Sequence, residues 1–134
     1  MSWYVEVFKK YAVFSGRARR REYWYFSLFN FLALVLLELL VVGTEPTSGV
    51  ATGPSLLLAY LVVGYILASI IPSIAVNVRR LHDIGKSGWF ILIGIIPLVG
   101  PITLLVFHCM DSEPGTNAYG PNPKEELLTN SAPW

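Results

Sequence analysis

The sequence predicts an all-α integral membrane protein with three transmembrane helices plus an amphipathic N-terminal interfacial helix. Three observations carry that expectation. Of 134 residues, 54% are hydrophobic and 14% are charged, against roughly 25% charged in an average soluble domain. The apolar residues fall into three stretches nearly free of charge, at 23–42, 55–78 and 89–107, and about 20 helical residues cross a hydrocarbon core of roughly 30 Å. Lysines and arginines crowd some junctions between these stretches and are missing from others. A single cysteine leaves no partner for an internal disulfide and no thiolate zinc cluster.

Within residues 1–14, Tyr4, Val7, Phe8 and Tyr11 recur at helical spacing, and Glu6, Lys9 and Lys10 take the other side. That pattern suits a helix lying along the headgroup layer or packed against the end of the bundle. The first span, 23–42, carries Glu38 as its only ionisable group apart from tyrosines. The second, 55–78, has no charged residue; Pro72 is expected to kink it, and the pairs Gly64/Ala68 and Ser69/Ser73 form a small-residue seam. The third, 89–107, contains Pro97, Pro101, Gly94 and Gly100. Irregular backbone at membrane depth needs partners for its polar groups, so one kinked crossing is the expected reading and a turned-back pair of half-helices the alternative. The whole is a single membrane domain over 1–124, followed by a flexible tail over 125–134.

Charge placement orients the spans. Lys9, Lys10, Arg17, Arg19, Arg20 and Arg21 precede the first, and Arg79, Arg80 and Lys86 separate the second from the third, whereas the loop 43–54 has neither Lys nor Arg. Short basic loops stay in the cytoplasm. The amino terminus is therefore expected inside, and with a third crossing the acidic tail falls outside, periplasmic or extracellular.

Two charged motifs meet at the same surface. In FSGRARRREYW, residues 14–24, Gly16 frees the backbone to turn, and Tyr23, Trp24 and Tyr25 sit at headgroup depth. In RRLHDIGKSGW, residues 79–89, Gly85 is placed to end a helix and Ser87 to cap the next. Anchoring alone does not require His82 and Asp83. Glu22 and Asp83 are therefore expected to pair with arginines of the opposite motif, with His82 hydrogen-bonded nearby. The alternative for the cations Arg17, Arg20, Arg21, Arg79, Arg80 and Lys86, with His82 and Asp83 beside them, is a surface that gathers anionic lipid headgroups.

These two runs and EPGTNAYGPNP, residues 113–123, occur in that order between hydrophobic spans. In this the chain resembles the YhaH-like family of small bacterial inner-membrane proteins, catalogued as domain of unknown function 805, from Trp3 to about Lys124. The resemblance implies a multi-pass protein of the bacterial cytoplasmic membrane and supplies no catalytic residue, cofactor or substrate.

No enzyme is expected, because no nucleophile, base and oxyanion constellation can be assembled. Nor is a metal: HCMD, residues 108–111, mixes hard and soft ligands, and in the single-crossing topology His82 and His108 lie on opposite sides. A basic run abutting a span is what orientation demands, so nucleic acid is not an expected partner. The expected role is a non-enzymatic envelope or membrane accessory protein acting through the lipid bilayer, anionic headgroups, a second copy or another membrane protein. The alternative is a small transporter or channel subunit working as an oligomer, with Glu38 as its one intramembrane carboxylate.

Overall fold

The computed structural model describes residues 11–44 and 53–125. Two long helices form the frame: α1, Arg20–Thr44, and α2, Gly53–Asp83. At 1.5 Å per residue they are about 37 and 46 Å long, enough to cross a bilayer with turns to spare. Only 6% and 17% of their most apolar windows are buried, so they are not core helices of a soluble protein. Leu28, Phe31, Leu36, Leu39, Leu57 and Leu67 are among the many large apolar side chains left exposed, the surface a lipid solvent requires.

On α2 the buried residues Ser55, Val62, Ser69, Val76 and Asp83 recur every seven residues, the period of a left-handed helix pair. The facing side of α1 buries Glu22 and Phe26, and Tyr65 donates across the pair to the Asn30 side-chain oxygen at 2.8 Å. Of the expected small-residue seam, Ser69 is buried and Ser73 half-buried, but Gly64 faces open space, and a side chain there would meet nothing within 4 Å.

At the expected third crossing the structure differs from a single kinked helix. Residues 88–109 form a hairpin of two short arms, a 3₁₀ helix over Gly88–Ile95 and α3 over Val99–Cys109. At about 2.0 Å per residue in the first and 1.5 Å in the second, each arm is about 16 Å long, half the thickness of a hydrocarbon core. The objection to such a turn is unsatisfied backbone, and the prolines reduce it. Pro97 and Pro101 have no N–H to satisfy, and the N–H groups of Ile96, Val99, Gly100 and Ile102 donate to the carbonyls of Ile93, Pro97, Ile96 and Leu98. The Val99 to Pro97 bond closes a γ-turn on Leu98, whose φ of 64° is rare for a side-chain-bearing residue. Gly100 is where the arms touch: a Cβ there would stand 2.0 Å from the Ile93 carbonyl oxygen.

Both ends of the hairpin lie at the arginine end of the helix pair. Gly88 sits against Val78 and His82, and Arg80 donates to the His108 and Met110 carbonyls. The tail therefore returns to the end it was expected to leave: Glu113 donates its N–H to the Asp83 carbonyl at 2.9 Å. In the structure residues 113–120 pack at the same end of the helix pair as the arginine motifs, rather than at the opposite end.

Of the interfacial helix expected over 1–14, residues 1–10 lie outside the described residues, and 11–14 form a turn followed by irregular chain. The loop residues 45–52 and the tail 126–134 also lie outside them. Tyr11 donates its hydroxyl to the Ala68 carbonyl at 2.8 Å. That carbonyl is four residues before Pro72, so it is the one the proline deprives of its helical N–H partner.

Two stability outcomes follow, both read by thermal unfolding in detergent. Tyr11→Phe should cost about 0.5–1 kcal/mol in the native sequence and close to nothing in a Pro72→Ala background, where the helix supplies its own donor. Gly100→Leu should separate the arms and lower the unfolding temperature more than Gly64→Leu, which enters open space.

Candidate functional site

The two charged motifs and the tail converge on one cluster at the end of α2. Local sequence delivers the parts. Gly16, at φ 85°, turns the chain so that the Ala18 N–H reaches the Arg79 carbonyl at 3.0 Å. Gly85, at φ 70°, ends α2 in a Schellman turn, with Gly85 and Lys86 N–H groups on the His82 and Leu81 carbonyls. Ser87 caps the 3₁₀ arm by accepting from the Trp89 N–H.

Arg17 is the centre of the cluster, with its side chain 1% exposed. A guanidinium has five N–H donors, and all five have acceptors here. Nε donates to Asp83 Oδ1 at 3.0 Å, Nη1 to the Gly115 and Gly120 carbonyls at 2.8 and 3.3 Å, and Nη2 to the Asp83 and Glu113 carbonyls. Asp83, also fully buried, accepts from Arg80 Nη1 and the Ser112 hydroxyl on its other oxygen. Arg79 Nη1 donates to Glu22 Oε1 at 2.6 Å. Glu22 and Asp83 thus each meet an arginine of the opposite motif, and Asp83 also holds an arginine of its own. The Glu22 pair is less complete: Arg79 Nε and Nη2 are buried without a hydrogen-bond partner among the described residues.

His82 carries its Nδ1 3.2 Å from the Gly16 carbonyl, a bond that needs the proton on that nitrogen, and its ring stacks on Tyr119 with centroids 3.7 Å apart. The tail is built to hold this stack. Asn117 donates to the His82 carbonyl and to Glu113 Oε2, accepts from the Tyr119 N–H, and exchanges backbone bonds with Gly120. Glu113 in turn lies where a Gly85 side chain would project, 2.4 Å from its ideal Cβ. His108 stacks separately on Tyr23 at 4.1 Å. Although the hairpin brings both histidines to one end, no group of three or more His, Cys, Asp or Glu among the described residues is arranged to hold a metal.

The residues weighed as a lipid-gathering surface divide into two groups. Arg17, Arg79, Arg80 and Asp83 are buried inside protein, because each charge can leave water only when paired and hydrogen-bonded. His82 is covered by Tyr119. Arg20 and Lys86 are half-buried and Arg21 is exposed. Arg20 donates to the Met110 carbonyl and approaches Asp111 at 3.5 Å; the ammonium of Lys124 and the Ser112 N–H hold the Asp111 carboxyl below the usual carboxylate range. Arg20 and Arg21 border a shallow groove of about 250 Å³ lined also by Trp24, Tyr25 and Leu28. Elsewhere, Glu38 is exposed on α1, while Asn30 and Asn77 bond to Tyr65 and to the Ser73 carbonyl. These three polar groups are each engaged locally or exposed singly, and they do not make a continuous track.

Sequence reasoning did not place Glu113, Gly115, Asn117, Tyr119 and Gly120 in the cluster. The available signal was the pair of glycines flanking Thr-Asn-Ala-Tyr, since both adopt positive φ, 69° and 128°, and present carbonyls to one guanidinium.

The family profile described as protein of unknown function (DUF805) matches residues 11–121. The chain is 41% identical over 126 residues to the inner membrane protein YhaI of Escherichia coli (strain K12), covering 92% of this chain and 97% of that one. It is 39% identical over 128 residues to the inner membrane protein YhaH of the same organism, covering 94% and 99%. No solved structure matches.

Breaking the cluster should be costly. Asp83→Ala leaves two buried guanidinium groups uncompensated and should destabilise the folded state by about 3–5 kcal/mol. Arg17→Lys, with three donors in place of five, should recover little of what Arg17→Ala loses. Arg79→Glu should lower the unfolding temperature, and adding Glu22→Arg should restore part of it; no recovery in the exchanged pair would remove the Glu22–Arg79 contact as a tie between α1 and α2.

Proposed function

This chain belongs to the DUF805 family of proteins of unknown function and is a helical inner-membrane protein, and on that premise we propose that it is a non-enzymatic membrane accessory protein working through contacts with anionic lipid. One observation carries the reading. The side chains that an active site would draw on are committed to holding the chain together: every N–H of Arg17 and both carboxylate oxygens of Asp83 are used internally. What faces outward is an apolar flank with a basic rim.

The groove between Arg20, Arg21, Trp24, Tyr25 and Leu28 suits a lipid phosphate. Its cations stand above aromatic rings of the kind favoured at headgroup depth, and Leu28 continues the floor toward the hydrocarbon. Each basic side chain near an anionic surface contributes about 1 kcal/mol. By the same charge rule the arginine motifs face the cytoplasm. The tail, fastened to them through Glu113 and Asn117, lies there too.

Two measurements test this. In native mass spectrometry, Arg20→Ala with Arg21→Ala should reduce retention of cardiolipin and phosphatidylglycerol relative to phosphatidylethanolamine; equal retention would exclude a specific lipid site. For orientation, a probe cysteine at the exposed Thr116 in a Cys109→Ser background should react with an impermeant maleimide only after spheroplasts are lysed. Labelling of intact spheroplasts would reverse the assignment.

A further inference from the structure

The helices α1 and α2 are each long enough to pass through both leaflets, whereas the hairpin 88–109 and residues 11–18 lie beside one half of the pair. The 3₁₀ arm and α3, each about 16 Å long, are fastened at their outer ends to the Arg17–Asp83 cluster: Gly88 abuts Val78 and His82, and the Met110 carbonyl accepts from Arg20 and Arg80. Residues 11–18 run beside α2 from the level of Ala68 to that of Arg79, in the same half. With side chains a helix is about 10–12 Å wide. Two added arms therefore about double the cross-section of the protein in the leaflet beside the arginines. In the other leaflet, α1 and α2 stand alone among the described residues.

The hairpin is a lipid-facing body of fixed shape. Residues 89–107 carry no ionisable side chain, and Trp89, Ile95 and Leu98 are 79%, 77% and 80% exposed. Its arms are held to each other by the close approach at Gly94 and Gly100, by the edge-to-face pair Phe90 and Phe107, and by the γ-turn at the tip. An inclusion wider in one leaflet is accommodated best where that leaflet is stretched, which is why elements inserted into one side of a bilayer bind in a curvature-dependent way.

We propose that this protein is a one-leaflet wedge: the hairpin 88–109 widens the leaflet on the arginine side, and the protein favours membrane in which that leaflet is convex. Only the assignment of that leaflet to the cytoplasmic side rests on the orientation proposed above. The wedge itself is independent of it, and of lipid retention at Arg20 and Arg21.

The test uses the full chain with Cys109→Ser and Thr116→Cys, reconstituted by detergent removal into phosphatidylethanolamine/phosphatidylglycerol vesicles of roughly 30 nm and roughly 400 nm diameter. Thr116 is exposed and follows Gly115, whose carbonyl accepts from Arg17, so it reports the arginine side. Impermeant maleimide labelling before and after solubilisation gives the fraction with that side outward. The odds of outward orientation should rise about threefold or more from large to small vesicles. Equal odds in the two sizes, or a shift inward in the small ones, overturns the proposal. Leu98→Lys puts a charge at the tip and should draw it toward the headgroups, reducing the size dependence. An unchanged dependence in folded Leu98→Lys protein shows that the hairpin is not its cause and overturns the proposal as well. Should that variant fail to fold, the two vesicle sizes decide alone.

Discussion

Withdrawing a charge from water beside a hydrocarbon layer is costly unless the charge is paired and its donors are answered. That condition, met at Arg17, organises the rest of the molecule. Its five N–H groups are distributed over one carboxylate oxygen and four carbonyls, and those acceptors come from the end of α2 and from the tail. No segment alone can supply them. The amino-terminal strand of chain, the helix pair and residues 113–120 are thereby held as one unit at one end of the bundle. Asp83 is the counterpart: with Arg17 and Arg80 both on its carboxylate, it keeps two buried cations from facing each other unscreened.

The membrane sets the second constraint, which concerns backbone rather than side chains. Every peptide N–H at depth needs an acceptor and every carbonyl benefits from a donor. Proline meets that demand in opposite ways at two places. In the hairpin, Pro97 and Pro101 delete donors at the turn, so that the chain can reverse in an apolar medium. In α2, Pro72 deletes a donor the helix would have used, and the Ala68 carbonyl is answered by Tyr11 from a different part of the chain. The same residue type thus permits a reversal in one element and creates a tertiary contact in the other.

The division of the basic residues links structure to role. Arg17, Arg79 and Arg80 hold the protein together, and Arg20, Arg21 and Lys86 remain at its rim. A sequence motif such as RARRR reads as one cationic patch, yet helix geometry sends neighbouring members to different surroundings: Arg17 precedes α1 and turns inward, while Arg21 projects from its first turn. Attraction to anionic lipid therefore runs through a smaller set than the sequence displays, and within it Arg21 can be altered without touching the cluster, whereas Arg20 also holds the Met110 carbonyl.

Several features were legible from residues alone because they depend on local chemistry or on totals. The lengths of 23–42, with Glu38 as its one charge, and of 55–78, with none, announce crossing helices, the glycines at 16 and 85 announce turns, and Ser87 announces a cap. Glu22 and Asp83 were identifiable as arginine partners because nothing else nearby explains acidic groups in basic motifs. The side chains of Asn117 and Tyr119 carried no such signal, since their purpose is a carbonyl and a ring that lie 35 and 37 positions earlier in the chain, on His82. The hairpin was equally hidden. Two prolines and two glycines in an apolar stretch fit a kinked crossing as well as a reversal, and what decides between them is non-local: Arg80 finds the Met110 carbonyl 30 residues later. Sequence by itself determined the solvent, the two crossing helices and the identity of the charged partners, because hydropathy and charge are properties of single residues. Tertiary structure alone decided that the last apolar segment turns back, because only there do the unanswered donors of one element meet the unanswered carbonyls of another.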